Sequence, residues 1–319
     1  MTSLVFDVGG TTIRAGVYDG GLRRCVRAPA PSFLLHPSDG GPALVERLID
    51  SMQGMARELQ IAPERVGVGF CGPVDEGGRV WRAPTLWGER VRGPLALGSY
   101  LEAAFPGAQV RVLNDVSAAG YRYLRSEEES LCVVTVSSGI GHKLFLRGRP
   151  VVGPAGRGGE IGHWRADSSE AAPVCDCGGR GHLGALGSGR AVPWQVARLA
   201  REDPAGLRAS SLFGWGESTT PEQLVARLDD PFAGRVLAAM AAPLGQALSA
   251  IHLDTGVERF VLMGGFALAA GERYRAAVAR AARECGWEVG ADWDAMVELG
   301  EPDDDAGLVG LGRFFERFS

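Results

Sequence analysis

The sequence of 319 residues has almost no lysine: Lys143 is the only one among 33 lysines and arginines, and no run of basic residues occurs. Proteins that bind nucleic acid carry clustered basic residues, whereas the formal net charge of this chain is −5. The composition therefore argues against nucleic acid as a partner. An excess of arginine over lysine is what a GC-rich genome produces, and by itself it indicates no function.

Two further absences concern membranes and disulfide bonds. The N-terminus lacks a basic stretch followed by an apolar core, and no run approaches the ~18 apolar residues of a membrane span. We therefore expect a cytoplasmic protein without a membrane partner. Among six cysteines only Cys175 and Cys177 are clustered, and a chain of this size needs no disulfides, so this pair indicates a metal site. The other four lie in apolar or strand-like stretches and are predicted to be core residues: Cys25, Cys71, Cys132 and Cys285.

Two common nucleotide-binding patterns are also missing. Neither the P-loop pattern G-x-x-x-x-G-K-[ST] nor the dinucleotide fingerprint G-x-G-x-x-G follows a strand here. What is present is a globular composition, with 45% apolar and 22% charged residues and 47 glycines. A length about twice that of an average domain predicts two lobes of mixed α/β structure.

Hydrophobic periodicity predicts the same order of elements twice. The first half begins with strands at 3–8, 13–18 and 24–28. A second apolar strand at 131–136 again runs into a glycine turn and an alternating strand at 143–146. Further strands are predicted at 66–70, 110–113 and 260–263, helices at 42–59, 95–105, 116–123, 189–201, 221–228, 232–253 and 268–285, and a last strand and helix after 296. This order predicts a duplicated unit with a mixed sheet.

The string DVGGTTIRAG, residues 7–16, is the most informative in the chain. Its glycines allow a ligand to approach the backbone, its threonines add hydroxyl donors, and Asp7 at the strand end can orient a metal-bound water or a nucleotide. Backbone N–H groups in such turns bind anionic oxygens. Two strand-turn-strand elements facing one another across a cleft are therefore expected to hold phosphates.

This string belongs to a set that spans almost the whole chain: DVGGTTIRAG, GVGFCGPVD, APTLWG, LNDVSAAG, VSSGIGHKLFLRGRPV, GGEIGH, CDCGGRGH, LMGGFA and DDAGLVGLG. In this order the strings resemble the ROK family of sugar kinases and sugar-responsive repressors. The resemblance implies an actin-like, ribonuclease-H-like duplicated α/β fold with two lobes around a central cleft. The lobes are expected at 1–115 plus 302–319, and at 116–301 with a zinc-binding loop. Family members are often oligomers, so a homodimer is expected.

The resemblance also assigns roles to individual residues. Asp115 is expected to act as the general base that takes the proton of the sugar hydroxyl attacking the γ-phosphate, and Asn114 to hold neighbouring hydroxyls. The same pair would also cap the helix at 116–123. Glu160 and His163 match the sugar-binding carboxylate and imidazole of the family. The donor is expected to be ATP with Mg²⁺, and the nucleotide-binding residues to be Asp7, Gly9, Gly10, Thr11, Thr12, Arg14, Ser138, Gly139, Gly264 and Gly265.

The second glycine turn departs from the family pattern G-T-G-x-G-G-G. Here Ser138 keeps a hydroxyl, and Gly139 and Gly141 keep the backbone freedom, so phosphate binding is expected to survive. His142 and Lys143 replace small residues. We expect Lys143 to be a solvated strand residue, the alternative being a contact with phosphate.

A zinc site is implied by the resemblance. His163, Cys175, Cys177 and His182 have the family's ligand spacing, with His182 where the family has a third cysteine. Two histidines and two cysteines form an ordinary tetrahedral zinc set. The alternative is a loop that has lost its metal.

The largest departure from the family lies at Gly184, where members carry a glutamate that contacts the anomeric end of glucose. Glycine cannot replace this hydrogen-bond acceptor. The sequence therefore predicts an ATP-dependent kinase that phosphorylates the 6-hydroxyl of a hexose or an aminohexose such as kanosamine. A cyclitol kinase and a non-catalytic sugar-sensing protein are the alternatives. A repressor would carry an additional N-terminal helix-turn-helix, whereas the first strand is expected near residue 3.

Overall fold

The computed structural model describes residues 2–287 and 290–318. Its internal contacts divide the chain into two units. The first comprises the residues up to Glu129, Phe145–Gly158 and the residues from Asp303 onward, and the second comprises Ser130–Leu144 and Gly159–Pro302. These units and the predicted lobes divide the chain at different points, because the contacts assign residues 116–129 and 145–158 to the first unit.

The sheet of the first unit has five strands in the order β3-β2-β1-β4-β5. Strand β1 pairs antiparallel with β2 and parallel with β4, which pairs parallel with β5. The strand bounds are β1 Ser3–Val8, β2 Thr12–Tyr18, β3 Leu22–Pro29, β4 Arg65–Phe70 and β5 Gln109–Asn114. Alternate residues of β1 enter two apolar clusters, Leu4 and Phe6 on one face and Val5 on the other, as the two-residue period of a strand requires.

The helices of the first unit are α1 Gly41–Glu58, α2 Pro84–Trp87, α3 Leu97–Ala104, α4 Asp115–Tyr123 and α12 Ala306–Arg317. Helix α1 buries Leu44, Leu48, Met52 and Met55, which recur at helical spacing along one face. Helices α4 and α12 pack together. Gly310 makes this packing close, because a Cβ there would lie 1.9 Å from the carbonyl oxygen of Ala118.

The other sheet has the order β10-β9-β6-β7-β8. Its strands are β6 Leu131–Val136, β7 Ile140–Leu146, β8 Arg149–Pro150, β9 Phe260–Met263 and β10 Val297–Leu299. The helices that follow β8 in the chain, before α12, are α5 Leu183–Gly187, α6 Val192–Glu202, α7 Pro204–Ala209, α8 Pro221–Val225, α9 Pro231–Thr255, α10 Gly265–Cys285 and α11 Trp293–Met296. Three short 3₁₀ turns lie at Ile161–His163, Gly189–Ala191 and Gly216–Ser218.

Helix α9 is the centre of the second unit's core. It is 25 residues long and apolar enough to cross a membrane by length and composition, which the sequence analysis did not anticipate. Half of its most apolar window is buried inside the fold, and the helix packs along α10. One or two helices of this kind are weak evidence for a membrane span, since the core helix of a soluble protein has the same properties.

The mixed α/β architecture with two sheets confirms the predicted fold class. The segment predicted as one helix at 189–201 divides into a 3₁₀ turn and α6, and α10 contains a non-helical residue, Gly271. Two of the four cysteines predicted to be core residues are exposed, Cys25 and Cys285. Cys25 lies on β3, which is the edge strand of its sheet and has one face in solvent.

Candidate active site

The first glycine turn joins β1 to β2 in the first unit. Asp7 is paired with Arg14 in the strand register, and the N–H of Gly9 donates to the carbonyl of Thr12 at 3.0 Å, which closes the turn. Thr11 and Thr12 are exposed. Gly10 approaches α2, since a Cβ there would lie 2.9 Å from the Cβ of Thr85. The turn therefore has the tight, accessible backbone that the sequence predicted.

Arg14 forms ion pairs with three carboxylates. Its Nη2 lies 2.5 Å from Oδ2 of Asp7, and its Nη1 lies 3.0 Å from Asp304 and 3.8 Å from Asp305. Burial lowers the pKa of the guanidinium, but the three carboxylates outweigh this effect and the net pKa is raised. Asp304 and Asp305 were not predicted to lie at Arg14, and no local sequence signal links positions that are about 290 residues apart in the chain.

Asn114 and Asp115 lie where β5 ends and α4 begins. The Asn114 side chain is the helix cap, because its Oδ1 accepts a hydrogen bond from the N–H of Ser117 at 3.1 Å. Its Nδ2 donates to Oδ1 of Asp115 at 2.7 Å and to the carbonyl of Gly72 at 3.1 Å. The Asn114 side chain thus both caps α4 and holds the carboxylate of Asp115, the residue that the sequence predicts as the base.

Asp7 is the next-to-last residue of β1 and Asp115 directly follows β5, and the carboxyl ends of these strands meet at one edge of the sheet. In the parallel registers Val8 is opposite Phe70, and Phe70 is opposite Asn114. Cys71 lies between them: burial raises the pKa of its thiol to about 12, and the negative charges of Asp115 and Asp7 raise it as well. The two carboxylates therefore share one edge of the first unit's sheet with an inert thiol.

The second glycine turn, residues 137–139, joins β6 to β7 in the second unit. The N–H of Ser137 donates to the carbonyl of Gly139 at 2.9 Å. Gly264 lies beside this turn at the end of β9, with a φ of +93°, and a Cβ there would lie 2.7 Å from the carbonyl oxygen of Val136. Because only glycine fits at position 264, the start of α10 lies against Val136, the residue that precedes this turn.

Arg190 is a neighbour of this turn that the sequence analysis missed. Its Nε donates to the carbonyl of Ser138, and its Nη1 forms an ion pair with Asp176. Asp176 stands between the two clustered cysteines. The side chain of Arg190 therefore connects the second glycine turn to the loop that carries the two cysteines. These positions are too distant in the sequence for a local pattern to indicate the contact.

The residues 159–163, which we call the Glu160 loop, lie against the first residues of β7. The N–H of His142 donates to the carbonyl of Gly159 at 3.2 Å, and the Nδ1 of His142 accepts from the N–H of Ile161 at 3.3 Å. Gly162 touches β7 as well, since a Cβ there would lie 2.0 Å from the carbonyl oxygen of Ile140. Glu160 itself is exposed.

The prediction that Lys143 is a solvated strand residue is wrong. Its side chain is only 2% exposed. It lies under the Glu160 loop, because a Cβ on Gly159 would be 2.7 Å from the Lys143 Nζ. The alternation at 143–146 indicated a strand but not which face of the strand is covered by a loop 16 residues further on.

The four predicted metal ligands come together. Their donor atoms all lie within 4.8 Å of one another, in the set His163, Cys175, Cys177 and His182. The Sγ of Cys177 is 3.2 Å from the Nδ1 of His182, and the Sγ of Cys175 is 3.9 Å from the Nδ1 of His163. Two thiols and two imidazoles at these separations match the donor set of a closed, four-coordinate zinc site.

A cavity of about 270 Å³ lies beside this cluster. Its walls include Gly139 of the glycine turn, His163 of the Glu160 loop, Asp176 and Arg190, with Gly184 at one side. A Cβ on Gly184 would lie 3.2 Å from the carbonyl oxygen of Gly162, so a larger side chain at this position would enter crowded space. The second unit thus contains a small cavity of mixed polar and apolar lining beside Gly184.

A family model for the ROK family matches residues 4–316. The chain belongs to the ROK family. The resemblance to ROK sugar kinases and the fold class predicted from the sequence are confirmed.

Relatives within the ROK family include kinases of cyclitols. The chain is 37% identical over 327 aligned residues to the C(7)-cyclitol 7-kinase of Streptomyces hygroscopicus subsp. jinggangensis, an alignment that covers 97% of this chain and 92% of the relative. It is 34% identical over 298 residues to the 2-epi-5-epi-valiolone 7-kinase of an Actinoplanes species, covering 86% and 80%. The solved structure of a ROK hexokinase from Thermus thermophilus matches with a TM-score of 0.72 and 30% identity, covering 99% of both chains.

Proposed function

We propose that this ROK protein is an ATP-dependent kinase that transfers the γ-phosphate of ATP to the primary hydroxyl of a C7-cyclitol. The observation that carries the proposal is the 37% identity to a C(7)-cyclitol 7-kinase over 97% of the chain. Gly184 supports it. A cyclitol is a carbocycle without an anomeric centre, so an enzyme for it needs no side chain for an anomeric hydroxyl.

The donor in this proposal is ATP with Mg²⁺. The glycine turns around Gly10 and Ser138–Gly139 would offer backbone N–H groups to the phosphates, and Gly264 and Gly265 are proposed to border the nucleotide. Asp7 would hold a water of the Mg²⁺ ion, which supplies charge neutralisation for the transferred group. The ion pair between Asp7 and Arg14 keeps this carboxylate oriented at the strand edge.

The chemical step follows from the position of Asp115. The acceptor oxygen forms a bond to the γ-phosphorus while the bond from phosphorus to the β,γ-bridging oxygen breaks, and ADP leaves. The proton of the acceptor hydroxyl goes to the Asp115 carboxylate. The Asn114 amide, 2.7 Å from Oδ1 of Asp115, orients that carboxylate, which supports its assignment as the base. Asn114, Glu160 and His163 are proposed to bind the remaining hydroxyls of the acceptor.

Zinc is proposed as a structural component. His163, Cys175, Cys177 and His182 would hold one ion, which braces the loop that carries Glu160. The site would be closed, so the metal takes no part in phosphoryl transfer. The proposal also includes a cytoplasmic location, small-molecule substrates only, and a homodimer.

The test is a coupled ADP-release assay with ATP and Mg²⁺ and a panel of acceptors. The panel contains 2-epi-5-epi-valiolone, a second C7-cyclitol, glucose, glucosamine and kanosamine. We expect the kcat/KM for a C7-cyclitol to exceed that for glucose by about tenfold or more, because the site lacks a partner for the anomeric hydroxyl. Equal or better turnover of glucose would overturn the proposed acceptor class.

A second candidate function is phosphorylation of the 6-hydroxyl of a hexose or aminohexose. The 30% identity to a ROK hexokinase over 99% of both chains supports this candidate. An aminohexose could form a charge-assisted hydrogen bond with the Glu160 carboxylate. The same panel decides between the two functions, and no ADP release with any acceptor would favour a sugar-sensing protein without kinase activity.

A further inference from the structure

The second glycine turn departs from the ROK pattern at two neighbouring positions, His142 and Lys143, and both side chains are directed to the Glu160 loop. Both residues lie on β7, where the pattern G-T-G-x-G-G-G has small residues. Small residues would leave the Glu160 loop without side-chain support from β7. The departure therefore adds contacts beneath the acceptor-binding carboxylate proposed above.

His142 holds the loop on both sides of Glu160. Its main-chain N–H donates to the carbonyl of Gly159, and its side-chain Nδ1 accepts from the N–H of Ile161. Gly159 and Ile161 are the residues immediately before and after Glu160. One histidine thus fixes the peptide groups that flank the exposed carboxylate.

The Nδ1 of His142 can accept a hydrogen bond only when the imidazole is neutral. Burial lowers the pKa of His142 to about 4; the hydrogen bond with the Gly159 backbone opposes this effect, and the positive charge of Lys143 adds a smaller lowering. The ring is therefore neutral near pH 7. With Nδ1 accepting from Ile161, the ring proton is on Nε2.

Lys143 is buried against the Glu160 loop. The chain contains this one lysine among 33 lysines and arginines, and its side chain is 2% exposed. Its Nζ lies close to Gly159: a Cβ on Gly159 would be 2.7 Å from the Lys143 Nζ. A guanidinium is broader and planar, so it would displace the loop.

We propose that His142 and Lys143 are positioning residues that fix Glu160 for acceptor binding, so that they set the affinity for the acceptor and not the affinity for ATP. The proposal rests on the proposed function, which assigns Glu160 to the acceptor. It predicts that weakening either support raises the KM for the acceptor and leaves the KM for ATP and the kcat nearly unchanged.

The first test compares three substitutions of His142. In His142→Asn the amide Oδ1 can replace Nδ1 as an acceptor, in His142→Gln the acceptor lies further out, and in His142→Ala it is absent. We expect His142→Ala and His142→Gln to raise the acceptor KM by about three- to tenfold, the range for one lost hydrogen bond, and His142→Asn to recover most of the affinity. A rise of the same size in the KM for ATP, or equal values for Asn and Gln, would overturn the proposal.

The second test concerns Lys143. Lys143→Met keeps the length of the side chain and removes its charge, and Lys143→Arg keeps the charge and enlarges the head group. Both are expected to raise the acceptor KM by at least threefold, whereas Arg201→Met, an exposed residue of α6, serves as a control without effect. If Lys143→Arg equals the wild type, the assignment of Lys143 is wrong.

A third measurement does not depend on kinase activity. Amide hydrogen exchange at Ile161 should accelerate about threefold or more in His142→Ala and His142→Gln and stay near the wild-type rate in His142→Asn, in samples whose thermal unfolding confirms folding. If the wild type phosphorylates no acceptor while this exchange pattern is found, the proposed function fails and the loop contact stands. If the wild type is active and Ile161 is deprotected without a change in the acceptor KM, the present inference fails.

Discussion

The two glycine turns of this ROK protein differ in how far they follow the family pattern and in what surrounds them. The turn after β1 has the expected string and is bordered by ionised groups, with Arg14 joined to Asp7, Asp304 and Asp305. After the turn that follows β6, His142 and Lys143 stand where the family pattern has small residues. The Glu160 loop and Arg190 border this segment. The residues proposed for the chemistry therefore follow the pattern, and the departures are concentrated where the acceptor is proposed to bind.

Under the proposed function, this difference means that phosphoryl transfer and acceptor choice depend on different parts of the chain. Phosphoryl transfer depends mainly on positioning and charge neutralisation, so the groups that provide them tolerate little change. Acceptor choice depends on a few hydrogen bonds, each of which can be removed or redirected by one substitution. Substitution of Asp115 in the first unit should therefore affect kcat, and substitution of Gly184 or of the Cys/His cluster in the second unit should affect specificity or stability.

The largest effect is expected for Asp115→Asn. Asparagine keeps the shape of the side chain and its contact with Asn114 but cannot accept the proton, so kcat should fall by about 10²–10⁴-fold. Binding of the acceptor should change little. Steady-state kinetics under conditions where chemistry limits the rate, with acceptor affinity from calorimetry, provide the measurement. A variant that keeps more than about a tenth of the wild-type kcat would mean that another group is the base.

The next effect concerns the metal cluster of the second unit. We expect about one zinc per chain, and Cys177→Ser should lose it together with roughly 3 kcal/mol of the free energy of unfolding, because a structural metal is part of the folded state. Metal analysis of protein purified without chelator and denaturant unfolding measure these quantities. Cys285→Ser, which changes an exposed cysteine outside the cluster, is the matched control. Zinc-free wild-type protein would contradict the proposed site.

Much of the fold was predictable because its signals are local. The strand at 131–136 was predicted with the bounds that the structure has, Leu131–Val136, since its apolar run ends directly at a glycine turn. The helix at 42–59 nearly coincides with α1, because Leu44, Leu48 and Met52 repeat at helical spacing. The pair Cys175 and Cys177 was visible in the sequence by itself, and the resemblance to the ROK family added His163 and His182, which lie with that pair in the structure.

The parts that could not be predicted depend on contacts between distant positions. Arg190 binds the carbonyl of Ser138 across 52 residues, and nothing in the string around it distinguishes it from other surface arginines. The contact of His142 with Ile161 is hidden for the same reason. Lys143 was assigned to solvent because alternation along a strand tells which residues share a face, but not whether a later loop covers it.

A smaller effect is expected when the missing carboxylate is restored in Gly184→Glu. The variant should shift the ratio of kcat/KM for glucose over a C7-cyclitol upward by about tenfold relative to Gly184→Ala, since it returns one acceptor for the anomeric hydroxyl. Gly184→Ala is the required control because its Cβ meets the Gly162 carbonyl at 3.2 Å without adding a carboxylate. Equal ratios in the two variants would show that the cavity no longer accommodates the family contact.

The smallest effect is a pH dependence of stability that arises at His142. Burial lowers the pKa of this histidine to about 4 in the folded protein, from an ordinary value of 6.5. The unfolded chain therefore binds the proton first, so this contribution to stability is complete above about pH 6.5 and is lost progressively as the pH falls toward 4.

His142→Asn cannot titrate, and all other ionisable groups, including Lys143, are common to both proteins. When the pH falls from 7 to 5, the wild type should therefore lose about 1 kcal/mol more of its unfolding free energy than His142→Asn does. This figure allows for the partial solvent exposure of the ring. Urea unfolding of the two proteins at both pH values measures it, and a difference that does not change with pH would mean that the His142 ring is as easily protonated in the folded protein as in the unfolded chain.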